Sequence, residues 1–311
     1  MPINSDSKKD IAIKILSERL NITPAELIRF TTGYAHSVYH VKTEYGEYVL
    51  RITSKQNKSL YFGSIKWLNK LAHLDIPIPK VLEHGQYEDK YYVLMTFIRG
   101  RDLGEVYHTL SDSQKREIAK SLCEIQRKIA TLPSSGLYGY DSYPTATWSE
   151  EIAHFINRSR KRIMTNKVFD AKVCDDVAVI MSNLSDYFSS VQPIAFLDDT
   201  TTKNVLIHDG ALSGIVDIDW ICYGGPLQTI GLTNMSLLAM GADTKYIDYW
   251  LDEMSADSTQ HTVVTFYTLL FCIDFMGEQG MRFDNDNIVE INQEKVELLS
   301  LIYDNLISKL R

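Results

Sequence analysis

The sequence predicts an α+β fold in two parts, a small N-terminal lobe built on an antiparallel sheet and a larger, mainly helical C-terminal lobe. Three observations carry this. Residues 30–98 run in short alternating stretches rich in Tyr, Val and Thr around a single helical stretch. After Gly100, apolar residues recur at helical spacing over 112–131, 148–164, 171–190 and from about 226 to 311. The chain has 311 residues, 45% hydrophobic and 23% charged, enough for one large or two modest domains with full cores. Strands first and helices later is the pattern of segregated α+β layers. The change of texture at 97–101 divides the chain into an N-terminal lobe, 1–98, and a C-terminal lobe, 99–311.

Each element has its own signal. Residues 8–21 carry Ile11, Ile15, Leu16 and Leu20 at helical spacing. Thr23-Pro24-Ala25-Glu26 has the form of a capping box and predicts a second helix start. Residues 31–53 alternate about a Tyr45-Gly46 turn and predict a hairpin. Residues 59–74 predict a helix that Ile76-Pro77-Ile78-Pro79 stops. Residues 81–100 read as two more strands about a turn. With the 31–53 pair and one further strand they make an expected five-stranded antiparallel sheet. Within the helical half, 192–220 is the exception: short apolar runs surround His208-Asp209-Gly210. Tyr267, Phe271 and Phe275 recur every four residues and predict a helical core stripe, with Phe283 beyond it.

Composition excludes several classes. A formal net charge of −8 argues against a nucleic-acid binder. Cys123, Cys174, Cys222 and Cys272 form no CxxC pair and read as reduced core thiols rather than a zinc site or disulfide framework. The first residues lack the apolar run of a signal peptide, and no stretch reaches the length of a membrane helix. A cytoplasmic protein with no membrane partner is the expectation. P-loop, HExxH, GxSxG and GxGxxG motifs are all absent. His36 and His40, four apart in strand-like sequence, read as satisfied or exposed histidines rather than metal ligands.

The chemistry concentrates in 196–220, which holds Asp198, Asp199, Asp209, Asp217 and Asp219. Such a segment is either an acidic hairpin facing solvent or a metal site. Asp199 and Asn204 have D-x-x-x-x-N spacing, and Asp217 follows Asn204 by thirteen residues at the end of Ile215-Val216. Phosphoryl transfer needs such a set: hard oxygen ligands for a divalent cation, and a carboxylate to orient an acceptor hydroxyl.

These residues resemble the catalytic loop and metal-binding strand of the aminoglycoside phosphotransferase family, relatives of the protein kinases. The family reads H-G-D-x-x-x-x-N and later [VI]-[IV]-D-[FW]-[DE]. Here the chain reads Leu197-Asp198-Asp199 through Asn204, then Ile215-Val216-Asp217-Ile218-Asp219, with Gly224-Gly225-Pro226 resembling the family's G-D-P. The resemblance implies a protein-kinase-like two-lobe fold. It makes Asp199 the catalytic base and Asn204 and Asp217 metal ligands. Asp219 and Asp198 become possible metal or acceptor residues, and Leu206 and Val216 the floor beneath a purine. Upstream, Gly33 and Ser37 match the phosphate-covering turn, and Arg51 stands where relatives carry a lysine on the α- and β-phosphates. Met95, Thr96 and Phe97 match the hinge strand along the purine edge. The implied cofactors are ATP or GTP with Mg²⁺, and the implied partner is a small molecule bearing a hydroxyl.

Three departures accompany the match, which covers roughly 30–226. Leu197 replaces a histidine that supports the loop. Asp198 replaces a glycine and adds a charge beside the base. The 59–71 helix offers Ser64 where an acidic partner for Arg51 would stand. A small-molecule kinase is the first reading. A catalytically impaired nucleotide-binding protein acting through a partner is the second. A kinase acting on protein is disfavoured because no activation segment separates Asp219 from Pro226. Glu278, Asp284 and Asp286 read as solvated loop charges.

Overall fold

In the computed structural model, residues 5–30, 36–281 and 289–311 are described. The chain forms two compact units. One comprises the described residues of Met1–Gly100 and Ser213–Trp220, the other those of Arg101–Leu212, Ile221–Arg282 and Ile288–Arg311.

In the first unit, helix α1 (Ser5–Lys14) runs into a π-helical turn, Ile15–Arg19. Strands β1 (Glu26–Phe30), β2 (His36–Thr43) and β3 (Gly46–Ser54) follow, then helix α2 (Lys58–Leu71) and strands β4 (Val81–Tyr87) and β5 (Lys90–Thr96). They make a five-stranded antiparallel sheet in the order β1-β2-β3-β5-β4. The predicted helix start at Thr23–Glu26 is a strand instead. Glu26–Phe30 pairs with Lys42–Val38 of β2, and Ala25 N–H donates to the Lys42 carbonyl at 2.8 Å. A ladder along an otherwise open edge outweighs a local cap signal on so short a segment.

Strand alternation gives the sheet two faces with different tasks. Tyr39, Val41, Leu50, Ile52, Tyr92 and Leu94 share one face and pack with Ala12, Ile15 and Leu16. The other face carries His36, Arg51 and Thr53, in register with Val38, Tyr91 and Val93. Helix α2 lies on this second face, where the Tyr61 and Tyr91 rings stack 4.6 Å apart.

The second unit opens with β6 (Arg101–Asp102), α3 (Leu103–Val106) and α4 (Asp112–Ile129), then β7 (Tyr138–Tyr140) and β8 (Tyr143–Thr145). Helices α5 (Trp148–Asn166), α6 (Lys172–Asn183) and α7 (Ser185–Ser190) lead to β9 (Ile194–Phe196), β10 (Val205–His208) and β11 (Ala211–Ile215), whose last three residues belong to the first unit. After β12 (Cys222–Gly224) come α8 (Leu227–Ala239), α9 (Lys245–Glu253), α10 (Ser258–Glu278) and α11 (Gln293–Leu310). Capping boxes start three helices, with Ser111 and Gln114 on α4, Thr147 and Glu150 on α5, and Asp257 and Gln260 on α10.

Helix α10 is apolar on all sides and is the axis of this unit, as a helix without a polar face must be buried. Tyr267 and Phe271 belong to its core as predicted, and Trp148 Nε1 donates to the Tyr267 hydroxyl at 2.7 Å. Phe283, Asp284 and Asp286 lie outside the described residues. Glu278 is not a loop charge: it closes α10, and burial raises its carboxyl above the ordinary range. A four-stranded sheet in the order β8-β7-β12-β9 and the short β6–β10 ladder complete the unit. Strands β6, β7, β8 and β12 were not legible in the sequence, being only two or three residues long. All four cysteines are buried and free. Among the described residues no helix is long and apolar enough to cross a membrane.

Candidate active site

The first unit buries a cation among carboxylates. Arg51 is only 4% exposed, not the surface arginine that an isolated strand position suggests. Its Nη2 donates to Asp219 Oδ1 and lies 2.8 Å from His36 Nε2, while Nη1 reaches Asp217 Oδ1 at 3.3 Å. His36 is held in turn by Thr53 Oγ1 at 2.9 Å and by Asp219 Oδ2 at 3.3 Å. Burial pushes the Asp219 carboxyl up, but Arg51 and His36 together outweigh it and hold the group below the ordinary carboxylate range.

The acid missing from α2 is therefore supplied by the Asp217–Asp219 segment. Ser64 is buried and donates to the Tyr61 carbonyl. Beside it, Gly63 lets the helix meet that segment closely: a Cβ there would sit 2.3 Å from the Asp219 carbonyl oxygen. The segment is also tied at Ile215, whose N–H donates to the Pro77 carbonyl at 2.9 Å. Asp217 has φ +61°, a left-handed conformation that aspartate tolerates better than most residues. His36, Asp217 and Asp219 each offer a ligand atom within 4.8 Å of the others. The single positive charge of Arg51 offsets one of the two carboxylate charges in this group. Asp217, with its side chain 53% exposed, is the member most open to a further cation.

The remaining predicted residues of this unit divide by strand face. Ser37 pairs with Ile52 and so takes the face opposite Arg51, whereas His36 shares the Arg51 face. Met95 is buried between Val49 and Val81. Thr96 spends its N–H on the Lys80 carbonyl at 3.0 Å, and Phe97 stacks on His40 with ring centroids 4.1 Å apart. Val216 directly precedes Asp217, and Gly33 lies outside the described residues.

The second unit carries Asp198, Asp199, Asn204 and Leu206. Asp199 is exposed, and its Oδ1 accepts from the Thr201 hydroxyl at 2.8 Å. Its backbone carbonyl accepts from Asn204 Nδ2 at 3.3 Å, which leaves the Asn204 amide oxygen as an acceptor. The Thr200 hydroxyl meets Thr229 at 2.8 Å, the Thr233 hydroxyl donates to the Thr200 carbonyl at 3.2 Å, and Thr202 meets Ser236 at 3.0 Å. Thr229, Thr233 and Ser236 are spaced four and three apart, so one face of α8 holds the loop at Thr200 and Thr202. Leu206 lies on β10 opposite Asp102.

Two further side chains bear on the LDD sequence. The Gln126 amide on α4 pairs with both backbone groups of buried Leu197, and the Tyr140 hydroxyl donates to Asp198. His36, Gly63, Gln126 and Tyr140 were not singled out as functional from the sequence. The usable signal was weak: Gln126 is a polar residue on the apolar stripe of α4, and His36 is two residues from the cross-strand neighbour of Arg51.

A model described as the phosphotransferase enzyme family matches residues 26–257. A comparison with curated protein sequences finds no match. Among solved structures, a GDP complex of a variant of aminoglycoside 2′-phosphotransferase IIIa aligns with a TM-score of 0.74 at 16% identity, covering 98% of this chain and 100% of that one. A ternary complex of a thermostable aminoglycoside phosphotransferase APH(4)-Ia variant with ADP and hygromycin B gives 0.67 at 16% identity, covering 95% and 97%. A putative fructosamine-3-kinase from Haemophilus somnus 129PT gives 0.66 at 12% identity, covering 96% of both chains. The fold is thus the kinase-like fold of the aminoglycoside phosphotransferases, with an antiparallel sheet in its N-terminal part and a mostly helical C-terminal region.

Proposed function

The chain belongs to the phosphotransferase enzyme family, and from that premise we propose that it moves the γ-phosphoryl group of ATP or GTP to a hydroxyl of a small molecule, such as an aminoglycoside or another amino alcohol or sugar. The observation that carries this reading is the organisation of one loop. Asp199 presents an exposed carboxylate while Asn204 fixes the backbone behind it and keeps an amide oxygen for a cation.

In this reading Asp199 accepts a hydrogen bond from the acceptor hydroxyl, aims it at the γ-phosphorus and takes its proton as the new O–P bond forms and the bond from the γ-phosphorus to the β–γ bridging oxygen breaks, releasing ADP or GDP. Arg51 is the residue read against the α- and β-phosphates, its fork suited to phosphate oxygens; reaching them requires its Nη groups to exchange their bonds to Asp217, Asp219 and His36. Asp217 of the first unit and Asn204 of the second would each offer an oxygen ligand to a divalent cation. Carboxylate and amide oxygens suit Mg²⁺, which when bound neutralises phosphate charge. His36 suits Mg²⁺ less and is better read as a support for Arg51. Thr96 could offer its N–H to a purine only by giving up its bond to Lys80, so Phe97 is the better donor. Met95, Leu206 and Val216 supply apolar contacts, and the turn at Gly33 offers backbone N–H groups and Ser37 its hydroxyl to phosphate oxygens. Residues 1–98 form the nucleotide-binding lobe and 99–311 the catalytic and acceptor-binding lobe.

Several of the solved proteins of like fold are complexed with ADP, GDP or AMP-PNP, which supports a purine nucleotide as donor. A catalytically impaired protein acting through a partner finds no support. Arg51 has its carboxylate partner in Asp219, and the Leu197 backbone has its hold in Gln126. The test is transfer of labelled phosphate from γ-labelled ATP and GTP, with and without Mg²⁺, over a panel of aminoglycosides, sugar amines and amino alcohols. Mg²⁺-dependent labelling of at least one acceptor is expected. Labelling of none, with nucleotide bound, would return the impaired reading.

A further inference from the structure

Two side chains from outside the loop fall on the two residues immediately before Asp199. Gln126 Nε2 donates to the Leu197 carbonyl at 2.9 Å, and Gln126 Oε1 accepts from the Leu197 N–H at 3.0 Å. One amide thereby takes both backbone groups of a residue whose side chain is 3% exposed. Tyr140, at the end of β7, donates its hydroxyl to Asp198 Oδ2 at 2.5 Å. Burial first, and then the Asp198 charge, hold the Tyr140 phenol well above its ordinary range, so it stays a donor at all working pH.

The arrangement is more specific than packing requires. An amide on the apolar stripe of a helix loses water and must recover both of its hydrogen-bonding ends. Gln126 recovers them from a single residue, which fixes that residue's orientation as well as its distance. Between the Leu197 carbonyl and the Asp199 side chain lie only the soft dihedrals of Asp198 and Asp199. Tyr140 restrains the first of these residues through its side chain, and Asn204 restrains the second through its carbonyl.

We propose that Gln126 and Tyr140 are positioning residues that aim the Asp199 carboxylate through Leu197 and Asp198. The proposal rests on the reading of Asp199 as the group that orients the acceptor hydroxyl. Loss of aim lowers turnover without touching nucleotide binding, because a small displacement of a catalytic group is felt in the transition state.

The test uses the full chain with Gln126→Met, which keeps length and removes both bonds, and Tyr140→Phe, which removes one hydroxyl and keeps the ring. Steady-state rates are taken well below each variant's Tm, with an acceptor that the wild type labels. Gln126→Met should lower kcat roughly ten- to a hundredfold and Tyr140→Phe somewhat less, with nucleotide KM within about twofold of wild type. Adding Gln126→Met to Asp199→Asn should cost almost nothing further, since both act on one group. Amide exchange should quicken in peptides of 196–204 and stay unchanged in α10. Should Gln126→Met fail to fold, Tyr140→Phe carries the same test. Unchanged kcat in these variants, or a loss shared equally with nucleotide binding, overturns the proposal. Failure of the underlying reading looks different: the wild type labels no acceptor, or Asp199→Asn is as active as wild type, and the proposal falls with it.

Discussion

Asp217 and Asp219 stand two apart on one segment, and the same arginine touches both, yet their energetic weights differ. Asp219 is almost as buried as Arg51, and removing one partner of a buried pair leaves an uncompensated charge. Asp217 is half exposed and its contact is longer, the situation in which ion pairs contribute little. Asp219→Asn should therefore cost about 3 kcal/mol of unfolding free energy, and Asp217→Asn less than about 1 kcal/mol. Urea denaturation of the two variants measures this directly, and equal losses would refute the ranking. A second residue-scale prediction concerns Asp102, whose carboxyl is raised to about 6, by burial first and then by the Glu105 charge. An acid raised in the folded state binds its proton on folding, so its charged form opposes folding above that value. The penalty is present at pH 7, is relieved as pH falls through about 6, and is gone below the unfolded pKa of about 4. Asp102→Asn should raise Tm at pH 7 and lose that advantage near pH 4, which thermal melts across the range would reveal.

At the scale of elements, the approach of α2 to the 213–220 segment is what brings the Arg51 cluster together. Gly63 makes that approach possible because its missing Cβ would otherwise meet the Asp219 carbonyl oxygen at 2.3 Å. Gly63→Ala should destabilise the protein by about 1–3 kcal/mol, the usual cost of overpacking, despite the better helix propensity of alanine. A stabilised variant in chemical denaturation would contradict the contact. This contact also explains what the sequence could and could not tell. The strand bearing Arg51 and the short strands around Asp199 and Asp217 were legible because alternation and turn residues are recorded along the chain. The partner of Arg51 was not, because it sits more than 160 residues away and no local period records it. For the same reason β1 read as a helix start. Its capping residues are local, whereas the β2 edge that claims it is a tertiary fact. The long helices 112–131 and 148–164 were read nearly to their ends, since about five turns of period 3.6 leave a strong pattern, whereas 171–190, read as one helix, is two, Lys172–Asn183 and Ser185–Ser190, broken at Leu184.

At the scale of the whole molecule, the residues read as site residues fall in two compact units: Arg51 and Asp217 in one, Asp199 and Asn204 in the other. In the second, the Leu197 backbone is held by Gln126 and the Asp198 side chain by Tyr140. The central claim is that Asp199 serves the chemical step while the other residues serve nucleotide and cation. Its most direct test is Asp199→Asn, assayed in parallel for turnover and for Mg-nucleotide binding by titration calorimetry. The account predicts turnover lowered by about a thousandfold or more, toward the limit of general base catalysis and positioning combined, with nucleotide Kd within about threefold of wild type. Turnover equal to wild type, or loss of nucleotide binding in step with turnover, would contradict it.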